Sequence, residues 1–185
     1  MKPNQRIVIS KRMLREGLMR LLQSKELDKI RVNELCEESG INRTTFYRYY
    51  DAPRDVLVEL GQEFAEKMIP ARPPASRDEA MDMLENACTY IHENADTAKV
   101  LFSCNTTEDL QQSMSPVISR FWESQKDSYP FDPGDKTTAQ LGAMFMGGGC
   151  YMLLREWIMH DIPKTPQEIT GIISRIIQWP ENREE

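Results

Sequence analysis

Histidines, cysteine motifs and long apolar runs are scarce in this sequence, and each scarcity removes a class of function. The only histidines are His92 and His160. They sit in separate helices with no second histidine at ligand spacing, so no metal site is expected. The four cysteines, Cys36, Cys88, Cys104 and Cys150, form no CxxC pair. Three of them fall in apolar periodic stretches, the pattern of buried reduced thiols and of a cytoplasmic protein. The longest uncharged run, Thr137 to Leu154, covers 18 residues, of which the apolar part from Leu141 covers 14 and includes three consecutive glycines. A bilayer-spanning helix takes about 20 apolar residues, so no membrane partner is expected. The opening Met1-Lys2-Pro3-Asn4-Gln5-Arg6 has neither the apolar core nor the cleavage site of a secretory signal. There is no Gly-rich phosphate loop, no GxSxG elbow and no Cys-His signature, and no strand precedes Gly147-Gly148-Gly149. These absences argue against an enzyme and imply no cofactor.

Alternating β-branched runs bounded by hairpin turns are missing as well. Nearly every stretch with a hydrophobic period has the helical one, so the expected class is all-α, with about nine helices. With 185 residues and 40% apolar content, the chain can bury a core. Its formal charge of −6 argues at first against a nucleic-acid partner. The average hides an asymmetry: residues 1–54 hold twelve Lys or Arg against seven Asp or Glu, net +5, and residues 55–185 hold eleven against twenty-two, net −11. The basic charge is concentrated in the first third.

That third reads as three helices. Ser10 is a candidate cap for the first, whose Leu14, Leu18, Leu21 and Leu22 share one face. The second puts Val32, Leu35 and Cys36 on one side and closes at Gly40, which tolerates a left-handed conformation. Asn42 is placed to cap the third, from Arg43 to about Tyr50, with Phe46 and Tyr50 inward. The wheel then leaves Arg43, Thr44, Tyr47 and Arg48 outward, with Thr45 and Tyr49 on a flank. A short helix bracing a second, exposed one is the shape that enters a major groove about 12 Å wide. Arginine donates two hydrogen bonds to guanine, threonine bonds bases or packs on a thymine methyl, and tyrosine hydroxyls donate to phosphates. Arg43 and Thr44 are therefore the candidate base readers. On periodicity alone, an ordinary solvated face of Arg43 and Arg48 with half-buried Tyr47 and Tyr49 is the better explanation of the same residues.

The stretch is longer than a periodicity, however. Val32-Asn33-Glu34-Leu35-Cys36-Glu37-Glu38-Ser39-Gly40-Ile41-Asn42-Arg43-Thr44-Thr45-Phe46-Tyr47-Arg48-Tyr49-Tyr50 resembles the signature of the tetracycline-repressor-like (TetR) family. The shared features are the apolar-x-x-Leu spacing, Gly-apolar at the turn, Thr-aromatic-Tyr in the recognition helix and an aromatic closing it. The resemblance implies an N-terminal helix-turn-helix domain, residues 1–54, and a helical effector-binding and dimerisation domain, residues 55–185. It implies a transcriptional regulator, in the usual case a ligand-released repressor, that binds a double-stranded operator as a homodimer. In that family the residues matching Thr44, Thr45, Tyr47 and Tyr49 commonly touch the operator, usually its phosphates, and the position of Arg43 often faces bases. The sequence departs from the family twice. Pro53 stands where a phosphate-contacting lysine is usual, with Arg54 beside it as the candidate replacement. Tyr49 stands where histidine is frequent, which shifts the expected phosphate affinity to Lys11, Arg12 and the amino-terminal arm.

Beyond residue 60 the physical reading carries more. Pro53 suits the first turn of a fourth helix with Val56, Leu57, Leu60, Phe64 and Met68, stopped by Pro70, Pro73 and Pro74. Ser76 and Glu79 make a capping box for a helix that Asn94 ends, followed by one from Ala95 to about Ser103. A stripe at Leu110, Met114, Val117, Ile118, Phe121 and Trp122 is kinked or begun by Pro116, and Tyr129 to Gly134 is loop. The longest helix is expected over Asp135 to His160, and the last, over Pro166 to Trp179, is announced by Thr165 and Glu168. Phe145 to Gly149, Arg155 to Ile158 and Thr165 to Ile169 resemble the C-terminal domain of a subgroup common in Gram-positive bacteria. The aliphatic face Ile169, Ile172, Ile173, Ile176 and Ile177 suits a dimer interface, although burial within one chain explains it too. Eleven methionines suit an adaptable pocket for a small apolar or cationic effector, with candidates Met83, Tyr90, Phe102, Trp122, Met144 and Met152; core filling is the plainer role for each. Two other readings stay open: an activator or division-linked factor of the same fold working through protein contacts, and a helical carrier or enzyme.

Overall fold

The computed structural model describes residues 3–68, 76–104 and 134–177, which hold eight α-helices, one 3-10 turn and no strand. Helix α1 spans Pro3–Leu22. It begins earlier than the Ser10 cap implied, because Pro3 is itself a favourable opening residue: its fixed φ is helical and it has no amide to leave unpaired. Leu14 and Leu18 of α1 are fully buried. A 3-10 turn, Leu27–Lys29, leads to α2, Val32–Ser39. Helix α2 ends as its sequence requires. Gly40 adopts φ 67°, its amide donates to the Glu37 carbonyl, and the Ile41 amide reaches back to Cys36 at 3.0 Å. That pair of bonds satisfies carbonyls that the helix end would otherwise expose.

The α1–α2 crossing is close. A Cβ on Gly17 would lie 3.0 Å from the Ser39 Cβ and 3.2 Å from its backbone N. Ser39, buried there, returns its hydroxyl to the Leu35 carbonyl at 2.6 Å, so it presents no unpaired donor.

Helix α4, Pro53–Met68, follows the short α3, Arg43–Phe46. Pro53 opens α4, and the Asp55 carboxylate accepts from the amides of Asp51 and Ala52, both at 2.8 Å. Helix α4 packs on α1 along one side and on α5, Arg77–Glu93, along the other. The buried side chains accordingly form one connected cluster from Leu14 to Ile173.

The remaining described elements are α6, Ala95–Cys104, α7, Lys136–Met159, and α8, Pro166–Ile177. Their ends are set locally. Ser76 accepts from the Glu79 amide, and Asp135 accepts from the amides of Thr137 and Thr138. The Thr165–Glu168 box closes in both directions, at 3.2 and 2.9 Å. The stripe around Pro116, the loop before Gly134, Trp122 and Trp179 lie outside the described residues. No described helix is long and apolar enough to cross a membrane.

Three expectations change in the second half. The isoleucine face of α8 divides: Ile169 and Ile173 are buried in the chain's own core, Ile172 is half-buried, and only Ile176 is clearly exposed, at 69%. The reason is that α8 docks its apolar side on α5, the nearest apolar surface of the same chain; the Ile177 side chain lies outside the described residues. Met144 and Met152 are exposed on α7 and do not join the interior with Tyr90 and Phe102. The triple glycine does not break α7; Gly147 is buried, whereas Gly148 and Gly149 are exposed and a Cβ on either would meet no described atom within 4 Å. Cys36 and Cys88 are buried free thiols and Cys150 is half-buried; burial raises the pKa of each thiol.

Candidate nucleic-acid interface

Asn42 stops the turn after α2 and starts α3: its backbone is extended, and its side chain accepts from the Thr45 amide at 2.8 Å. The α-helix assigned from Arg43 closes at Phe46, shorter than the period suggested, and the chain tightens through Tyr47 to Tyr49. Helical bonding nevertheless persists, with the Tyr50 amide donating to the Phe46 carbonyl at 3.0 Å. The result is a recognition segment, residues 43–50, with two unlike faces. Phe46 is fully buried and Tyr50 nearly so, their rings 5.9 Å apart. Arg43, Thr44, Tyr47 and Arg48 are exposed, and Thr45 and Tyr49 lie half-buried at the edge.

The exposed face is organised by its own side chains. The Arg43 guanidinium lies 5.9 Å from the Tyr47 ring centroid, and Tyr47 sets its edge against Phe46 at 5.4 Å. A cation held over an aromatic face keeps its donors free to point outward while its stem stays put. Two arginines, a threonine and a tyrosine on such a ridge form a surface of hydrogen-bond donors, the complement of phosphate oxygens and of guanine's major-groove acceptors.

Two expected phosphate contacts are placed differently. Lys11 pairs with Glu59 of α4 at 2.7 Å and sits 5.9 and 5.4 Å from the Tyr49 and Tyr50 ring centroids. Its ammonium is thus committed to packing the back of the recognition segment. The amino-terminal arm belongs to α1 from Pro3 onward, and Arg12 remains exposed near Glu16, at 3.7 Å. Pro53 is buried, and Arg54 pairs with Asp28 of the 3-10 turn at 3.1 Å. A phosphate at Arg54 would have to compete with that carboxylate.

Sequence reasoning missed the network behind the ridge. The Tyr50 hydroxyl donates to Glu59, whose carboxylate also lies 3.5 Å from Arg15, and Arg15 pairs with Glu63. Burial would raise the Glu59 pKa, but hydrogen bonds from Lys11 and Tyr50, with Arg15 near by, outweigh it and hold the carboxyl below the ordinary range. Burial, then the Glu59 carboxylate, keeps the Tyr50 phenol protonated well above its usual range. No periodicity could reveal this network, whose partners lie up to 48 residues apart.

Similarity to known proteins agrees with this architecture. Residues 78–178 match the transcriptional regulator C-terminal region of the TetR group. A TetR-family transcriptional regulator from Syntrophomonas wolfei superposes with a TM-score of 0.67 at 13% identity, over 91% of this chain and 93% of that one. The fatty acid degradation regulator FadR from Bacillus halodurans gives 0.63 at 14% identity, over 89% and 96%. A TetR regulator from Rhodococcus sp. RHA1 gives 0.58 at 16% identity, over 96% of each chain. No curated protein matches by sequence. Because the matched region covers more than half of its 185 residues, the chain belongs to the TetR family of transcriptional regulators.

Proposed function

We propose that this regulator is a homodimeric, ligand-released repressor that sets two recognition segments into successive major grooves of a pseudo-palindromic operator, roughly 34 Å apart. The observation that carries the reading is the two-faced segment 43–50, with Phe46 and Tyr50 locked inside and Arg43, Thr44, Tyr47 and Arg48 outside. Arg43 and Thr44 read bases. Thr45, Tyr47, Tyr49 and Arg48 bind phosphates, with Arg54 joining when it leaves Asp28. Residues 1–54 form the reading unit and residues 55–185 the effector and dimer unit, joined by α4.

The dimer surface of this reading lies on α7 together with Ile176. Leu141, Met144, Phe145 and Met152 fall on one side of α7 with Gly148 and Gly149 between them, all exposed. Side chains this apolar favour a partner, and glycines between them let a second helix approach closely. The effector unit centres on Tyr90, whose ring lies 5.0 Å from that of Phe64 of α4; Met83 is on the same helix as Tyr90, and Phe102 of α6 pairs with Tyr151 of α7 at 5.4 Å. A ligand there biases the equilibrium only through its differential affinity for two placements of α4. A melting screen of apolar and cationic compounds would identify the effector, and the likeness to a fatty acid degradation regulator puts fatty acids in it.

The test is selection of duplexes from a random-sequence pool, followed by titration in rising salt. Selective, salt-sensitive binding to an inverted repeat is expected. Binding without sequence preference would sink the reading.

A further inference from the structure

Five side chains meet where α1, the end of the recognition segment and α4 come together. Tyr50 donates to Glu59, Lys11 pairs with Glu59 at 2.7 Å, Arg15 lies 3.5 Å from it, and Arg15 also pairs with Glu63. These are not loose surface pairs, since the side chains of Lys11, Arg15 and Glu59 are only 28, 20 and 25% exposed. Withdrawing one member of a partly buried charge network strands the others in poor solvent, so such a network moves as a unit or not at all. A phenylalanine at position 50 would fill the core as well as tyrosine. The hydroxyl adds a single thing, a tie from the recognition segment to α4. Lys11, which neutralises Glu59, also rests against the Tyr49 and Tyr50 rings.

We infer that Glu59 is a positioning residue for operator recognition: it clamps α4 to the last turn of the recognition segment, so the path of α4 fixes the distance between the two segments of the dimer. The inference rests on the DNA-binding homodimer proposed above. Helix α4 is suited to this part because it packs on α1 beside the clamp and, through Phe64 and Tyr90, on α5 at its other end. Tyr49, one of the phosphate-binding residues of the proposal, follows any shift of Glu59 through Lys11.

The experiment uses full-length protein and duplexes selected by it from a random pool, then the same half-sites with one base pair inserted or removed between them. Affinities are read by fluorescence anisotropy for wild type, Glu59→Gln and Tyr50→Phe, with thermal melts confirming that each is folded. Wild type should lose about tenfold on altered spacings, and each variant about threefold or less, having lost the tie that sets the distance. Tyr50→Phe keeps the buried ring, so it remains informative if Glu59→Gln folds poorly. Variants that keep the full spacing preference, or that weaken equally at every spacing, overturn the clamp and leave a merely structural network. Wild-type protein without selective binding would overturn the regulator reading itself, and the clamp with it.

Discussion

At the residue scale, the proposed function divides the recognition segment into side chains that read sequence and side chains that supply only affinity. Arg43 stands exposed against Tyr47, while Thr45 and Tyr49 sit at the half-buried edge. Arg43→Ala should therefore relax preference at particular base pairs, at about 1–3 kcal/mol of discrimination. Thr45→Ala and Tyr49→Phe should weaken every site alike. Binding profiles across a panel of single-base operator variants decide this, and identical profiles for both classes would refute the assignment. Acid sensitivity is set at the same scale. Glu59 is held below the ordinary carboxyl range by Lys11 and Tyr50 against the effect of burial, and Glu168 by Lys164 and the Thr165 amide. A carboxyl with a depressed folded pKa stabilises fully above its unfolded value and loses that contribution as pH falls through the folded one. Melting temperature should be flat above about pH 5 and fall below it, less steeply in Glu59→Gln. Equal slopes for the variant and wild type would remove Glu59 from the account.

At the scale of elements, what matters is how closely helices approach and which helix covers which. Gly17 lets α1 lie against Ser39 of α2, and α2 braces the recognition segment. Alanine normally gains about 1 kcal/mol over glycine inside a helix. Here its methyl would press on the backbone of Ser39, whose hydroxyl is already bonded to Leu35. Gly17→Ala should instead destabilise by about 1–3 kcal/mol, as overpacked sites do. A raised melting temperature would show that α2 yields easily. Local chemistry made several of these elements legible beforehand. Asn42, Gly40, Ser76 and the Thr165–Glu168 box act within a few residues of themselves, so helix ends follow from the chain order. Ser10 misled because capping residues also occur inside helices, and Pro3 offered an earlier start.

For the whole molecule, the exposed apolar side of α7 is the surface that asks for a partner. Phe145 is 81% exposed, so replacing it should not disturb the fold of a single chain. Phe145→Asp should leave the circular dichroism spectrum unchanged, yield monomers by sedimentation, and reduce operator affinity by at least about tenfold through loss of the second half-site. A variant that remains dimeric would move the interface elsewhere. The charge asymmetry works at this scale too: a net-positive first third lies on a chain of net charge −6, so attraction to DNA is concentrated at one end.

The sequence by itself determined the helical class, most helix ends and the recognition segment with its inward Phe46 and Tyr50. All of these depend on hydrogen bonds or periodicities within a turn or two. Only the tertiary structure decided that Lys11 serves Glu59 and the tyrosine rings, that Ile169 and Ile173 belong to the chain's own core, and that Met144 and Met152 face out. An apolar or charged face states that it needs a partner. Which surface answers depends on docking between segments far apart in the chain, and that competition is resolved only when the whole core packs.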